Sequence, residues 1–206
     1  MFEHPPADQD RLPLGIVCLA AGTSRRFGGD KLAADWFGEP MGFCALRLLR
    51  SPFFEQRVLV TDRPFLADAA QGWATVVPNP APARGQSHSV KLGLAALGAV
   101  QGALFLPADM PLLTAASLRE LARCFTAHPN DITAAAWQGQ IRSPVLFPAR
   151  FFGELAALTG DAGGRRIVAA HPDAVQKVEL PPAEMRDADT PFELEELRAL
   201  FRESAL

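Results

Sequence analysis

Hydrophobic and polar positions along this chain follow two alternating rhythms. Short, wholly apolar runs predict strands buried on both faces, and stretches with apolar residues three and four apart predict amphipathic helices. The first apolar run, Leu14–Ala20, breaks off at "AGTSRRFGG", so a buried strand feeds a glycine-rich loop. The pattern then predicts a helix near 41–50, a strand near 57–61, a short helix near 65–71 and a strand near 75–77. A helix over about 87–97 follows, then the apolar run "ALFLPAD" ending in Asp109, and a helix over about 115–126 with Thr114 as its candidate cap. The remainder predicts strands at Ile132–Trp137, 145–147 and Val175–Glu179, with helices at 149–158, 164–170 and 191–201.

Strands separated by helices imply right-handed βαβ crossovers, and hence an α/β fold with a Rossmann-like, mostly parallel sheet flanked by helices. In such sheets the ligand crevice lies beyond the carboxyl ends of the strands, where the strand order reverses. The 206 residues fit one domain, read as 13–206, preceded by a flexible tail over 1–12. That tail begins "MFEHPPADQDR" and lacks the charged-then-apolar order of a signal peptide.

Composition narrows the function classes. Nearly half of the residues are hydrophobic and the formal net charge is −3, the balance of an ordinary globular protein, which does not favour nucleic acid as a partner. The longest apolar runs fall well short of the roughly 20 residues of a membrane span. Cys18, Cys44 and Cys124 lie far apart without metal or disulfide spacing, which points to the cytoplasm.

The candidate chemistry clusters at strand ends. In "LAAGTSRRFGGDK" Gly22, Gly28 and Gly29 let backbone amides approach phosphates, and Arg25, Arg26 and Lys31 supply the countercharge. Its spacing matches neither the GxxxxGK[ST] phosphate loop nor the GxGxxG fingerprint, which weakens kinase and dehydrogenase readings. The alternative is a strand-to-helix turn with solvated basic residues. Asp109 leaves a buried strand into "DMP", where a carboxylate fixed beside a triphosphate would hold Mg²⁺; the alternative is a loop cap. "RDADTPFELEEL" sets Asp187 and Asp189 just before a helix, where Asp189 or Thr190 competes for the capping role. In "RGQSHSVKLGL" Gly85, Ser87 and Ser89 open a helix with free N–H groups for a base edge or phosphate, against simple N-capping by Ser87. "GDAGGRR" offers amides and guanidiniums to an anion, or is a tight interhelix turn. His88 has no partner at metal spacing, so neither a zinc site nor a Ser/His triad is read.

"LAAGTSRRFGGDK" resembles the LAAGxSxRxGxxK signature of the MobA-like NTP transferases, particularly their molybdenum cofactor cytidylyltransferase branch. "LFLPADMP" resembles the family's DxP segment, "RDADTP" its DIDTPED segment, and "GQIRSPVLFP" and "LTGDAGGRRIV" its GxxRxxPVLF and GDxGxR segments. The resemblance implies a fold of the nucleotide-diphospho-sugar transferase type and a Mg²⁺-dependent nucleotidyltransferase. By position it gives nucleotide binding to Leu19, Ala20, Ala21, Gly22, Ser24, Arg25, Lys31, Gly85, Ser87 and Ser89, with Arg25, Lys31 and Asp109 catalytic. It gives metal binding to Asp109 and Asp189, with Asp187 as fallback, and acceptor binding to Arg142, Pro144, Gly160, Asp161, Gly163 and Arg165.

The resemblance implies CTP as donor, since "LAAG" with Ala21 is the cytidylyltransferase form and the guanylyltransferase branch typically reads LAGG, and molybdopterin as acceptor. It admits transient contact with a molybdoenzyme or its chaperone. Two positions depart from the pattern: Gln86 stands where an apolar residue is common, and Ser143 where glycine is. The rivals are a GTP-dependent guanylyltransferase, a sugar- or polyol-phosphate nucleotidylyltransferase and, from another class, a nucleotide-sensing or cofactor-insertion module.

Overall fold

Every residue of β1 (Leu14–Ala20) is apolar or small, which suits a strand covered on both faces, and β1 lies third in a seven-stranded sheet. The computed structural model describes residues 13–204; the expected tail at 1–12 lies outside the described residues. After β1 come β2 (Asp35–Trp36), β3 (Glu39–Pro40), α1 (Gly42–Leu49), β4 (Gln56–Thr61), α2 (Pro64–Ala70), β5 (Thr75–Pro78), α3 (Gln86–Ala95) and β6 (Gly102–Pro107). Then follow α4 (Ala115–Ala127), β7 (Ile132–Trp137), β8 (Gln140–Pro148), α5 (Phe152–Ala157), α6 (Arg165–Ala170), β9 (Val175–Glu179) and α7 (Pro191–Ser204).

The sheet order is β5-β4-β1-β6-β8-β7-β9. β5, β4, β1 and β6 are parallel, β8 runs antiparallel to both β6 and β7, and β9 is parallel to β7. The sheet is therefore mostly parallel and Rossmann-like, as the alternating pattern implies. β1 pairs with β4 on one side and β6 on the other, so the strand order reverses at β1. That is the switch point at which such sheets bind ligands.

Side-chain alternation divides β1 between two cores. Leu14, Ile16, Cys18 and Ala20 pack with residues of α1, α2, α4 and α7, and Val17 packs with residues of α3, α5 and α6 on the other face. Gly93 of α3 allows a close approach, since a Cβ there would lie 2.2 Å from Val17 Cγ1. Burial pushes the Cys18 thiol up to about 12 and the Cys44 thiol up to about 11, so both serve as packing groups in the protonated form. Among the described residues no helix is long and apolar enough to cross a membrane.

Several expected boundaries shift. The strand expected at 145–147 is the inner end of β8, whose first half pairs with β7 through a turn at Gln138 and Gly139; its polar start, "QIRS", hid it. The helix expected over 149–158 divides into a single turn at Ala149–Phe151 and α5. The apolar run toward Asp109 ends as a strand at Pro107. β2 and β3 are two residues each, too short to produce a period.

Candidate functional site

The carboxyl ends of β1 and β6 open into a cavity of about 360 Å³. Leu19, Ala20, Ala21, Gly22, Ser24, Arg25 and Lys31 line it from the first loop, Gly85 and Ser89 from the start of α3, and Asp109 and Asp189 from the far side. Lys31 and Asp189, 158 positions apart in the chain, thus converge on one crevice.

The acids arrive by identifiable local means. Asp109 follows β6 by two residues, and its carbonyl accepts from Ala188 N at 2.9 Å, which docks the Asp187–Asp189 segment beside it. The capping role expected of Asp189 or Thr190 falls to Thr190. Its Oγ1 accepts from Glu193 N at 3.2 Å, while Glu193 Oε2 accepts from Asp189 N at 3.1 Å, a capping-box-like exchange in which the Glu193 carboxylate reaches the N–H one residue before the cap. The Asp189 carboxylate is left free for the site, where it meets Lys31 Nζ at 2.9 Å and Arg26 Nη2 at 2.5 Å. Nor does Asp109 cap its own loop, because its carboxylate takes Lys31 Nζ at 2.5 Å.

Asp109, Asp187 and Asp189 each offer an oxygen within 4.8 Å of the others. Three carboxylates so close repel unless a cation lies among them, and an all-oxygen set suits a hard divalent ion such as Mg²⁺. The residues therefore fit a metal, and Asp187 and Asp189 both belong to the cluster. In the protein alone the Lys31 ammonium supplies part of the countercharge. Burial pulls its pKa down, but the neighbouring Asp109 and Asp189 carboxylates outweigh that and hold it above the ordinary lysine range. The Asp187 carboxyl is raised, first by loss of solvent and then by the charge of Asp109.

A second cavity of about 240 Å³ adjoins the first, sharing Leu19, Gln86, Pro107 and Asp161. Val90, Phe105, Val145, Phe147 and Leu155 make its walls, and Arg142, Gly163 and Arg165 line it with them. Of the expected acceptor residues, Pro144 is buried in β8 and Gly160 is exposed in the turn after α5; neither lines either cavity.

The capping role weighed for Ser87 fails. α3 starts one residue earlier, with Gly85 at its cap position and no side-chain cap. Ser87 is buried, and its N–H donates to Gly160 O at 3.2 Å, which ties the start of α3 to the "GDAGG" turn. Gly85 adopts φ 90°, and a Cβ there would lie 2.5 Å from both the carbonyl carbon and oxygen of Gly160. Gly85→Ala is therefore expected to wedge the two cavities apart and weaken NTP binding by about ten- to a hundredfold. Titration calorimetry on the folded variant checks this; unchanged affinity would remove the junction from the site.

Two residues of the site, Asn79 and Arg63, escaped the sequence reading, and a third, Gln86, stood out there only as a departure from the family's pattern. Asn79 is buried and donates from Nδ2 to Ser89 Oγ at 3.0 Å, fixing that hydroxyl. Gln86 lines both cavities. Arg63 lines the first and binds the loop from behind. The available signal was polar residues at a strand's carboxyl end: "TDRP" closes β4 and "PNPAPARG" follows β5.

Comparison with known proteins places this arrangement. The profile of the MobA-like NTP transferase domain matches residues 16–175. The purine catabolism protein PucB of Bacillus subtilis (strain 168) is 32% identical over 199 residues, spanning 88% of this chain and 94% of PucB. Among solved structures, Rv0371c from Mycobacterium tuberculosis H37Rv superposes with a TM-score of 0.78 at 24% identity, covering 92% of this chain and 99% of that one. A nucleotidyl transferase from Methanothermobacter thermautotroptrophicus gives 0.79 at 19% identity, covering 93% and 99%. At those identities the two structures establish the shared fold.

Proposed function

As this chain belongs to the MobA-like NTP transferase family and is a nucleotidyltransferase, we propose that it transfers CMP from CTP to molybdopterin and releases pyrophosphate, acting in the cytoplasm as one unit over 13–206. The observation that carries this reading is the pairing of cavities: a loop rich in glycine and basic residues faces three carboxylates, and an apolar slot with two arginines opens directly beside it.

In this reading the backbone from Leu19 to Ser24, with Gly85 and Ser89, cradles the nucleotide, and Arg25 and Lys31 bind its triphosphate; Ser87, expected among the nucleotide ligands, is buried, lines neither cavity and instead braces the start of α3. Asp109 and Asp189, with Asp187 beside them, hold Mg²⁺, which when bound polarises the α-phosphate and shields its charge. Arg142 and Arg165 attract the acceptor's phosphate, while Asp161 and Gly163 shape its seat. An oxygen of that phosphate attacks the α-phosphorus in line; the new P–O bond forms as the α–β bridging bond breaks, and the electron pair leaves on pyrophosphate. The protein's own contribution is placement and countercharge, both set before the reaction starts.

Val90, Phe105, Val145, Phe147 and Leu155 give the second cavity an apolar wall on which the face of a flat heterocycle can lie, and this favours a pterin acceptor. Gln86 is the observation on the other side, because its amide could serve an acceptor hydroxyl and so keeps a sugar- or polyol-phosphate acceptor as the second reading. Pyrophosphate release with Mg²⁺ and molybdopterin, compared across CTP, GTP, ATP and UTP, tests the proposal. Release with CTP alone supports it, and preference for GTP transfers the protein to the guanylyltransferase branch. Turnover with a sugar or polyol phosphate but not with molybdopterin replaces the acceptor.

A further inference from the structure

We propose that Arg63 is the clasp that sets the conformation of the nucleotide loop, and that NTP affinity depends on it although it lies outside every signature segment. The inference rests on the loop's role as the nucleotide cradle.

Its placement follows from sequence. Pro64 opens α2 and excludes the helical region for the residue before it, so Arg63 stays extended at φ −110°, ψ 115°. That residue stands just beyond the carboxyl end of β4, next to the end of β1. Its N–H donates to Thr61 Oγ1 at 3.1 Å, and Thr61 Oγ1 donates to Ala20 O at 3.2 Å. The Arg63 side chain is only 10% exposed. Its guanidinium is spent on both ends of one loop: Nη1 donates to Ala20 O at 2.9 Å, Nη2 to Gly22 O at 2.9 Å, and Nε to Asp30 Oδ1 at 2.7 Å. Asp62 Oδ1 takes a further bond from Nη1 at 2.5 Å.

These bonds determine what the loop offers to a ligand. A trans peptide holds its carbonyl and the following N–H on opposite sides. Fixing Ala20 O and Gly22 O against the guanidinium therefore fixes the N–H groups of Ala21 and Thr23 in the opposite direction. At the far end the same Asp30 Oδ1 accepts from Leu32 N at 3.1 Å, capping the single turn that carries Lys31. One planar cation thus sets the amides at the start of the loop and the lysine at its end. An ammonium cannot span three acceptors in that fork. Two carboxylates beside the guanidinium, Asp30 and Asp62, offset the cost of its burial.

Arg63 acts through the loop and is a positioning residue. The test uses the full chain with Arg63→Lys and Arg63→Ala, measuring Mg²⁺–CTP affinity by calorimetry, KM and kcat separately, and the melting temperature. The expected result is a rise of about ten- to a hundredfold in Kd and KM for CTP in Arg63→Lys, with kcat at saturation within about threefold and KM for the acceptor unchanged. Added methylguanidine is expected to restore part of the CTP affinity of Arg63→Ala, a rescue that a general loss of packing would not show. Wild-type CTP affinity in either folded variant overturns the inference. So does a fall in kcat at unchanged KM, or a loss in both variants that follows the melting temperature and resists rescue. The wild-type titration separates the premises: absence of NTP binding there would defeat the reading of the loop itself, whereas wild-type binding with indifferent variants defeats only the role of Arg63.

Discussion

An Asp109→Ala protein is expected to lose Mg²⁺-dependent turnover by about a thousandfold or more while retaining its fold. The asymmetry comes from where the residue's two functions lie. Its backbone carbonyl holds Ala188 N and thereby the segment carrying Asp187 and Asp189, and alanine keeps that bond. The carboxylate is a different matter, because it is part-exposed, packs against no core and contacts Lys31. Removing it leaves Lys31 paired with Asp189 and withdraws one of three oxygen donors from the cluster. Steady-state pyrophosphate release, melting temperature and Mn²⁺ affinity measured by spin resonance check the three parts of this expectation. Full activity in the variant would end the assignment of Asp109 to the metal.

How much of this was legible beforehand varied with the physical source of the signal. β1 and β6 announced themselves because wholly apolar runs need cover on both faces. α4 was legible at its start, where Thr114 Oγ1 accepts from Ser117 N at 3.2 Å. The outer half of β8 was not, since Ile141 is the one apolar side chain in "QIRS", too few for a period, and the segment is held by its hairpin partner. The site divided in the same way. Gly22, Lys31 and Asp109 were picked out because a glycine-rich loop and an acid at a strand end carry local chemistry, whereas Asp189, just before α7, was picked out through the resemblance to the DIDTPED segment; all four line the cavity. The partition of "DADT" between cap and carboxylate could not be read from spacing, because Asp189 and Thr190 are both good capping residues; Glu193 completes the capping-box-like exchange around Thr190. Arg63 was invisible for another reason. Besides Asp30 and Asp62 its partners are two backbone carbonyls, 43 and 41 residues away, and a carbonyl leaves no trace in the residue type that bears it.

Lys31→Met is expected to reduce kcat/KM for the NTP by about a hundred- to a thousandfold and, in the protein without nucleotide, to tighten divalent metal binding. The two effects have opposite signs because Lys31 has two sets of partners. With no ligand its ammonium lies 2.5 Å from Asp109 and 2.9 Å from Asp189, where it competes with any metal for those oxygens. With the triphosphate present the same charge is drawn to the phosphates and leaves the carboxylates to the ion. Methionine keeps the length and apolar stem but supplies no charge, so Asp109, Asp187 and Asp189 repel one another with Arg26 alone as a near cation on Asp189. The variant is expected to melt lower at neutral pH and to recover on acidification, as Asp187, already raised by burial and the charge of Asp109, takes up a proton, or on addition of Mn²⁺. The alkaline side has the reverse signature. Lys31 is raised above 10.5 in the folded protein, so its stabilisation is complete below that ordinary value and fades as pH climbs through the higher folded one. Wild-type stability should therefore decline there more steeply than that of the variant. Mn²⁺ titration in the absence of nucleotide, melting curves against pH and initial rates check these points. A variant with wild-type kcat/KM would remove Lys31 from the triphosphate, and unchanged Mn²⁺ affinity would show that the ammonium does not compete for the metal's place.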